Sequence, residues 1–243
     1  SHEVEEIIAT LQKLEDSNSD LRFWVGDFGS GKSFVLRTIE SLALQKNFVV
    51  STIDLTPTRR FYDSSGKALA LYNEVVNKIT IKNNRNGNAI ETIVQQWIQG
   101  LLEQIAEENN LSVPELLERG NWKLVENVIL KTTNSFYSSG LSYEFGQALM
   151  KYFEGVAEDN VSLQIESIRW IRGDITTKTE ASKELGIKNV INDSNYLIAL
   201  KNLAELFLKI GYKGFVINFD ESVNLYKLPR SLKQEKNYEM ILN

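Results

Sequence analysis

Apolar residues recur with helical spacing at Val4, Ile7, Ile8, Leu11 and Leu14, which predicts a helix over residues 3–15. The polar stretch Ser17-Asn-Ser-Asp20 ends it. Leu21-Arg-Phe-Trp-Val25 is a short run of β-formers, expected as a buried strand. A second helical face follows over residues 32–46, at Val35, Leu36, Ile39, Leu42 and Ala43, and Phe48–Leu55 reads as a second buried strand. Strand, loop, helix and strand in that order imply a parallel sheet.

The middle of the chain changes character. Residues 66–81, 89–109, 113–119, 121–138, 141–157, 160–172, 177–185 and 193–210 all carry helical spacing, as at Ile90, Ile93, Val94, Trp97, Leu101 and Ile105. Ser112-Val-Pro-Glu115 has the form of a capping box with proline in the first turn. Gly120, Gly173, Gly186 and Gly211 stand where helix C-caps belong. Residues 82–88 (KNNRNGN) form a polar loop, the stretch expected to be disordered. No repeat of fixed period is present. Gly214-Phe-Val-Ile-Asn-Phe-Asp-Glu221 predicts a third buried strand with acids at its end. Residues 222–243 read as partly helical, broken at Pro229. Trp97, Trp122, Tyr152, Phe153 and Trp170 are assigned to the core rather than to a ligand box.

Composition narrows the chemistry. At 42 % hydrophobic and 24 % charged, the 243 residues match a globular protein and exclude a disordered or low-complexity chain. A net charge of −5 gives no whole-surface footprint for nucleic acid, though a local basic patch stays open. Cysteine is absent, which removes disulfides, thiolate metal sites and a thiol nucleophile. The single histidine, His2, lies at the extreme N-terminus and argues against His-based metal sites and Ser–His–Asp chemistry. No apolar run approaches the roughly 18–20 residues of a membrane helix, and no secretory leader is visible, so the expected compartment is the cytoplasm.

One motif carries chemistry. Gly26-Asp27-Phe28-Gly29-Ser30-Gly31-Lys32-Ser33 satisfies every position of the phosphate-loop pattern G-x-x-x-x-G-K-[ST], and Phe34 comes directly after it. Glycines let successive main-chain N–H groups turn inward toward phosphate oxygens. A helix starting near Gly31 adds its positive end. Lys32 supplies a charge for the β- and γ-phosphates, and the Ser33 hydroxyl a position on Mg²⁺. A dinucleotide fingerprint on the same glycines fails, because Phe34 stands where its third glycine or alanine should be. The kinase glycine loop fails likewise, with no H-R-D motif present.

Such a loop needs a partner carboxylate for the metal. Asp220, delivered by the apolar strand Phe215–Phe219, is the candidate, and Glu221 follows it; an apolar strand ending in Asp-Glu resembles the Walker B of additional-strand ATPases, which implies Glu221 as the catalytic group. Asp54, at the end of the second strand, is a weaker metal candidate. Arg59 and Arg60 follow that strand end and are candidates for contact with nucleotide, nucleic acid or a neighbouring subunit. Arg169, Arg172 and Arg230 are arginine-finger candidates in principle only. A phosphoryl-transferring kinase with the same loop is a third functional class, disfavoured by Glu221 and the long helical stretch.

The wording resembles the ATP-binding proteins of BREX bacteriophage-exclusion systems. The resemblance rests on Leu21–Phe34 (LRFWVGDFGSGKSF), Val50–Pro57 (VSTIDLTP) and Gly214–Tyr226 (GFVINFDESVNLY), with weaker echoes at Ala68–Tyr72, Leu163–Gly173 and Ala181–Gly186. It implies an α/β fold: the parallel sheet of a P-loop NTPase of the additional-strand, AAA+-like class, with a large all-helical insertion. Residues 3–60 would form the first half of the ATPase core, 61–211 the insertion, and 212–243 the Walker B strand and the truncated end of the core. In that class a sensor strand lies between the P-loop strand and the Walker B strand. Here the sensor strand, the final strand and the lid are expected to be missing. The resemblance further implies ATP and Mg²⁺ as ligands, Asp220-Glu221 as a Walker B pair with Glu221 polarising water, and other phage-defence proteins as partners. Contact with DNA and self-assembly of the full-length protein stay open, and no membrane association is expected. The alternative from another class is a nucleotide-gated binding or scaffold module without significant hydrolysis.

Overall fold

A computed structural model describes residues 2–15, 19–25, 29–62, 65, 67–134, 136, 141–221, 235–237 and 239–240. Its elements run α1 (His2–Glu15), α2 (Lys32–Gln45), β1 (Val49–Asp54), α3 (Lys67–Asn77), β2 (Ile79–Thr80), α4 (Ala89–Asn109), α5 (Val113–Leu116), α6 (Trp122–Asn134), α7 (Ser142–Ala157), α8 (Val161–Arg172), α9 (Lys178–Leu185), α10 (Tyr196–Ile210) and β3 (Phe215–Asp220). The fold is mixed α/β: a small three-stranded sheet and many helices.

The sheet order is β2-β1-β3. β1 and β3 are parallel and in register from Val49↔Phe215 to Asp54↔Asp220, while β2 is antiparallel to β1. Side chains of a strand alternate between faces. On one face Val50 and Val216 join Ile7, Leu11, Ala43 and Leu44 in the cluster formed with α1 and α2. On the other, Val49, Ile53, Phe215, Ile217 and Phe219 enter the main core, which runs on into the helices. Ser51 on that face donates to the Val75 carbonyl at 2.7 Å, tying β1 to α3.

The helices follow from their apolar faces. In α4, Ile90, Ile93, Val94 and Leu102 are all buried, and each such side chain contributes about 1.5–3 kcal/mol. The Ser112–Glu115 capping box forms with both reciprocal bonds. Gly173, Gly186 and Gly211 close α8, α9 and α10 in the left-handed conformation. Trp97, Tyr152, Phe153 and Trp170 are buried core residues, and Trp122 packs edge-on against Phe153.

Four expectations are corrected. Leu21–Val25 is not a buried strand: it joins no ladder among the described residues, and Phe23 and Val25 are 64 % and 95 % exposed. Trp24 of this run packs against the α1–α2 cluster. A β-prone run becomes a strand only beside a ladder neighbour, and propensity does not supply one. The helix expected over 66–81 stops at Asn77, because Ile79-Thr80 pairs with β1; its β-branched side chains suit the pleat. Residues 82–88 are folded, with Ile81 and Asn84 exchanging main-chain bonds at 2.9 and 3.0 Å and Asn88 preceding α4. Gly120 lies inside a 3₁₀ turn, Arg119–Asn121, and not at a C-cap. The readings of residues 222–234 and 241–243, Pro229 included, lie outside the described residues. Among the described residues no helix is long and apolar enough to cross a membrane.

Candidate functional site

The site is built where α2 begins and β3 ends. Gly29 and Gly31 both have positive φ, 81° and 90°, the region that favours glycine. A Cβ at either would meet no atom within 4 Å, so main chain there faces open space. Gly31 is the N-cap of α2 without a side-chain cap, and no acid stands in the first turn. The first N–H groups of this 14-residue helix therefore have no side-chain cap, and its dipole favours an anion there. Lys32 and Ser33 occupy its first two positions, with Ser33 and Phe34 exposed. Ser30 is exposed as well; Gly26, Asp27 and Phe28 lie outside the described residues.

β3 brings the acids to the same place. The Ser33 hydroxyl donates to Asp220 Oδ2 at 2.8 Å. The other oxygen, Oδ1, accepts from the main-chain N–H of Glu221 at 2.8 Å. Glu221 has φ 56° and is exposed, which turns the chain sharply at the strand end. Asp54 stands beside Asp220 in register, exposed, and Leu55 N–H binds the Asp220 carbonyl at 3.0 Å. Two hard oxygen donors thus sit at a helix N-terminus, the donor type that Mg²⁺ takes.

The arginines separate. Arg59 pairs with Glu74 at 2.7 Å, and Arg60 is buried at 4 % exposure, not a solvated loop residue. Arg169 is held by Glu166 and Glu180 at 2.7 and 3.0 Å, and Arg172 lies 3.9 Å from Glu91. Arg59, Arg169 and Arg172 are thus engaged with acids other than Asp220 and Glu221. Arg230 is outside the described residues.

Three residues went unnoticed in the sequence. Asn218 donates to Thr52 Oγ1 at 3.1 Å, and Thr52 donates to Glu40 Oε2 at 3.0 Å. The available signal was a polar residue two places before Asp220 and another two before Asp54, each inside an apolar strand.

Helix N-terminus, glycine turn, hydroxyl and strand-end carboxylate thus lie together at the start of α2. The model of the family described as BREX system ATP-binding protein BrxC/D matches residues 1–243, and the chain belongs to that family. This places it among the ATP-binding proteins of a phage-defence system. Neither the curated proteins nor the solved structures hold a match to the chain.

Proposed function

We propose that the chain binds Mg²⁺–ATP at the start of α2 and hydrolyses it, using turnover to drive rearrangement within a phage-defence assembly. The observation that carries this is the 2.8 Å contact of Ser33 with Asp220, at the uncapped N-terminus of a helix that follows a complete phosphate-loop pattern. Main-chain amides from Gly26 to Phe34 and the Lys32 ammonium would hold the phosphates. Ser33 and Asp220 would hold Mg²⁺, which supplies charge neutralisation on the β- and γ-phosphates. Glu221 would orient the attacking water.

The sheet is compatible with an additional-strand architecture. The strand that follows the phosphate-loop helix lies parallel to the strand that ends in Asp-Glu. The outer edge of β3 has no neighbour among the described residues. Residues 3–60 and 212–243 would then belong to the ATPase core, and 61–211 to an insertion that is helical apart from Ile79-Thr80, which adds a strand to the core sheet.

Titration with a fluorescent ATP analogue tests the reading. Wild type binds it and Lys32→Ala does not; an unchanged affinity in the variant refutes the site. Single-turnover phosphate release then separates the two functional classes. Binding without release, with DNA and defence proteins supplied, makes the chain a nucleotide-gated switch.

A further inference from the structure

Beneath the Ser33–Asp220 contact, the sheet carries a second polar layer. Alternation puts Val216, Asn218 and Asp220 of β3 on the α2 face, beside Val50, Thr52 and Asp54 of β1. The deepest pair, Val50 and Val216, is apolar and packs with α1 and α2. The outermost pair is Asp54 and Asp220. Between them Asn218, 5 % exposed, donates to Thr52 Oγ1 at 3.1 Å and reaches the Leu36 carbonyl of α2 at 3.5 Å. Thr52 passes the chain on to Glu40 of α2 at 3.0 Å. One chain of hydrogen bonds therefore joins β3, β1 and two successive turns of the helix that bears Ser33.

Apolar residues would fill this layer without the cost of desolvating an amide and a hydroxyl. Apolar packing, however, has no direction. Hydrogen bonds fix both distance and angle. Leu36 is one turn beyond Ser33, and Asn218 is two residues before Asp220, so the layer controls the depth and rotation of α2 against β3. We propose that Asn218, Thr52 and Glu40 form a positioning relay that holds the Ser33 hydroxyl in line with the Asp220 carboxylate for the magnesium ion of a bound nucleotide. This rests on the assignment of that site to Mg²⁺–ATP. The relay touches neither nucleotide nor metal. Its effect falls on the magnesium-dependent part of affinity, because the phosphates are held separately by main-chain amides and Lys32.

The test measures the dissociation constant of a fluorescent ATP analogue on the full chain, once with Mg²⁺ and once with EDTA. The ratio is the magnesium gain. Asn218→Leu and Thr52→Val each lower the gain by about fivefold or more, since small misplacements at such sites are costly. Affinity in EDTA stays within about twofold, and the double variant loses no more than the worse single one, as for residues acting through one network. Thr52→Ser, which restores the hydroxyl, keeps the wild-type gain. Circular dichroism checks folding; should Asn218→Leu not fold, Thr52→Val and Glu40→Leu, which removes the acceptor, decide the matter. Folded variants with an undiminished gain overturn the relay, and so does an equal loss with and without Mg²⁺, which marks a general loosening. A wild type that binds no analogue at all defeats the assignment of the site itself, and the relay with it.

Discussion

Ser33 and Asp220 stand 187 positions apart in the chain, and the hydroxyl of one donates to the carboxylate of the other at 2.8 Å. Nothing local produces this contact. It exists because β1 and β3 are in register over six residues, which carries Asp220 level with the first turn of α2. Ser33→Ala removes the hydroxyl, and Asp220→Asn the negative charge, from the proposed metal position. Each is expected to cut the magnesium-dependent gain in ATP affinity by about tenfold or more while leaving metal-free binding in place. Titrations with and without EDTA check this, and a full gain in Asp220→Asn would exclude the carboxylate from metal binding.

Glu221 is exposed and held at a sharp turn by its own N–H bond to Asp220. Glu221→Gln retains the turn and the side-chain length but cannot accept a proton from water. ATP binding is expected to persist, with turnover slower by at least about tenfold. A phosphate-release assay reads the outcome; equal rates would remove Glu221 from the chemistry.

Gly31 has φ 90° and open space where a Cβ would go. Gly31→Ala therefore meets no steric clash, and its cost is conformational, about 1–2 kcal/mol. The variant is expected to melt at a lower temperature and to bind nucleotide more weakly, because the N-cap turn relaxes. Differential scanning fluorimetry with and without nucleotide measures both effects.

Phe145 is fully buried and meets Trp170 edge-on, with ring centres 5.3 Å apart. Phe145→Ala opens a cavity between α7 and α8, and the expected loss is about 3–5 kcal/mol. Denaturant unfolding checks the magnitude.

The capping box adds a pH dependence. The Ser112 main-chain N–H and then its hydroxyl bond the Glu115 carboxylate, which holds that carboxyl below its ordinary value. A depressed folded value means that the carboxylate stabilises the fold above the unfolded titration range, and that this is lost as pH falls through the folded value. The stability gap between wild type and Ser112→Ala is accordingly expected to narrow on going from neutral pH to about pH 3. Thermal melts across that range test the sign, and carbon-13 NMR of Glu115 should show its midpoint rising in the variant.

Sequence patterning reached far where a segment determines its own structure. The 3.6-residue spacing of Ile90, Ile93, Val94, Trp97, Leu101 and Ile105 delimits α4 at 89 and 109, as observed. Ser112 and Glu115 marked a helix start because both halves of the cap lie within four residues. Pattern failed where a neighbour decides. Leu21–Val25 has strand-forming residues but no ladder among the described residues, and Ile79-Thr80 has a helical prelude but pairs with β1. At the site, residue types alone nominated Ser33, Asp220 and Glu221, whereas their separation depends on the register of β1 and β3. Asn218 and Thr52 each left a polar mark inside an apolar strand, but their linkage to each other and to Glu40 depends on the packing of three elements and has no local signature.

The distance in sequence between Ser33 and Asp220 also sets an order of events. Their meeting closes a loop of the intervening chain, and loop-closure entropy must be spent before that contact exists. The Ser33–Asp220 contact is therefore expected to form later in folding than the helices between them. A nucleotide that binds there selects molecules in which the contact has formed, so ligand added during refolding should raise the yield of native protein without speeding its earliest steps.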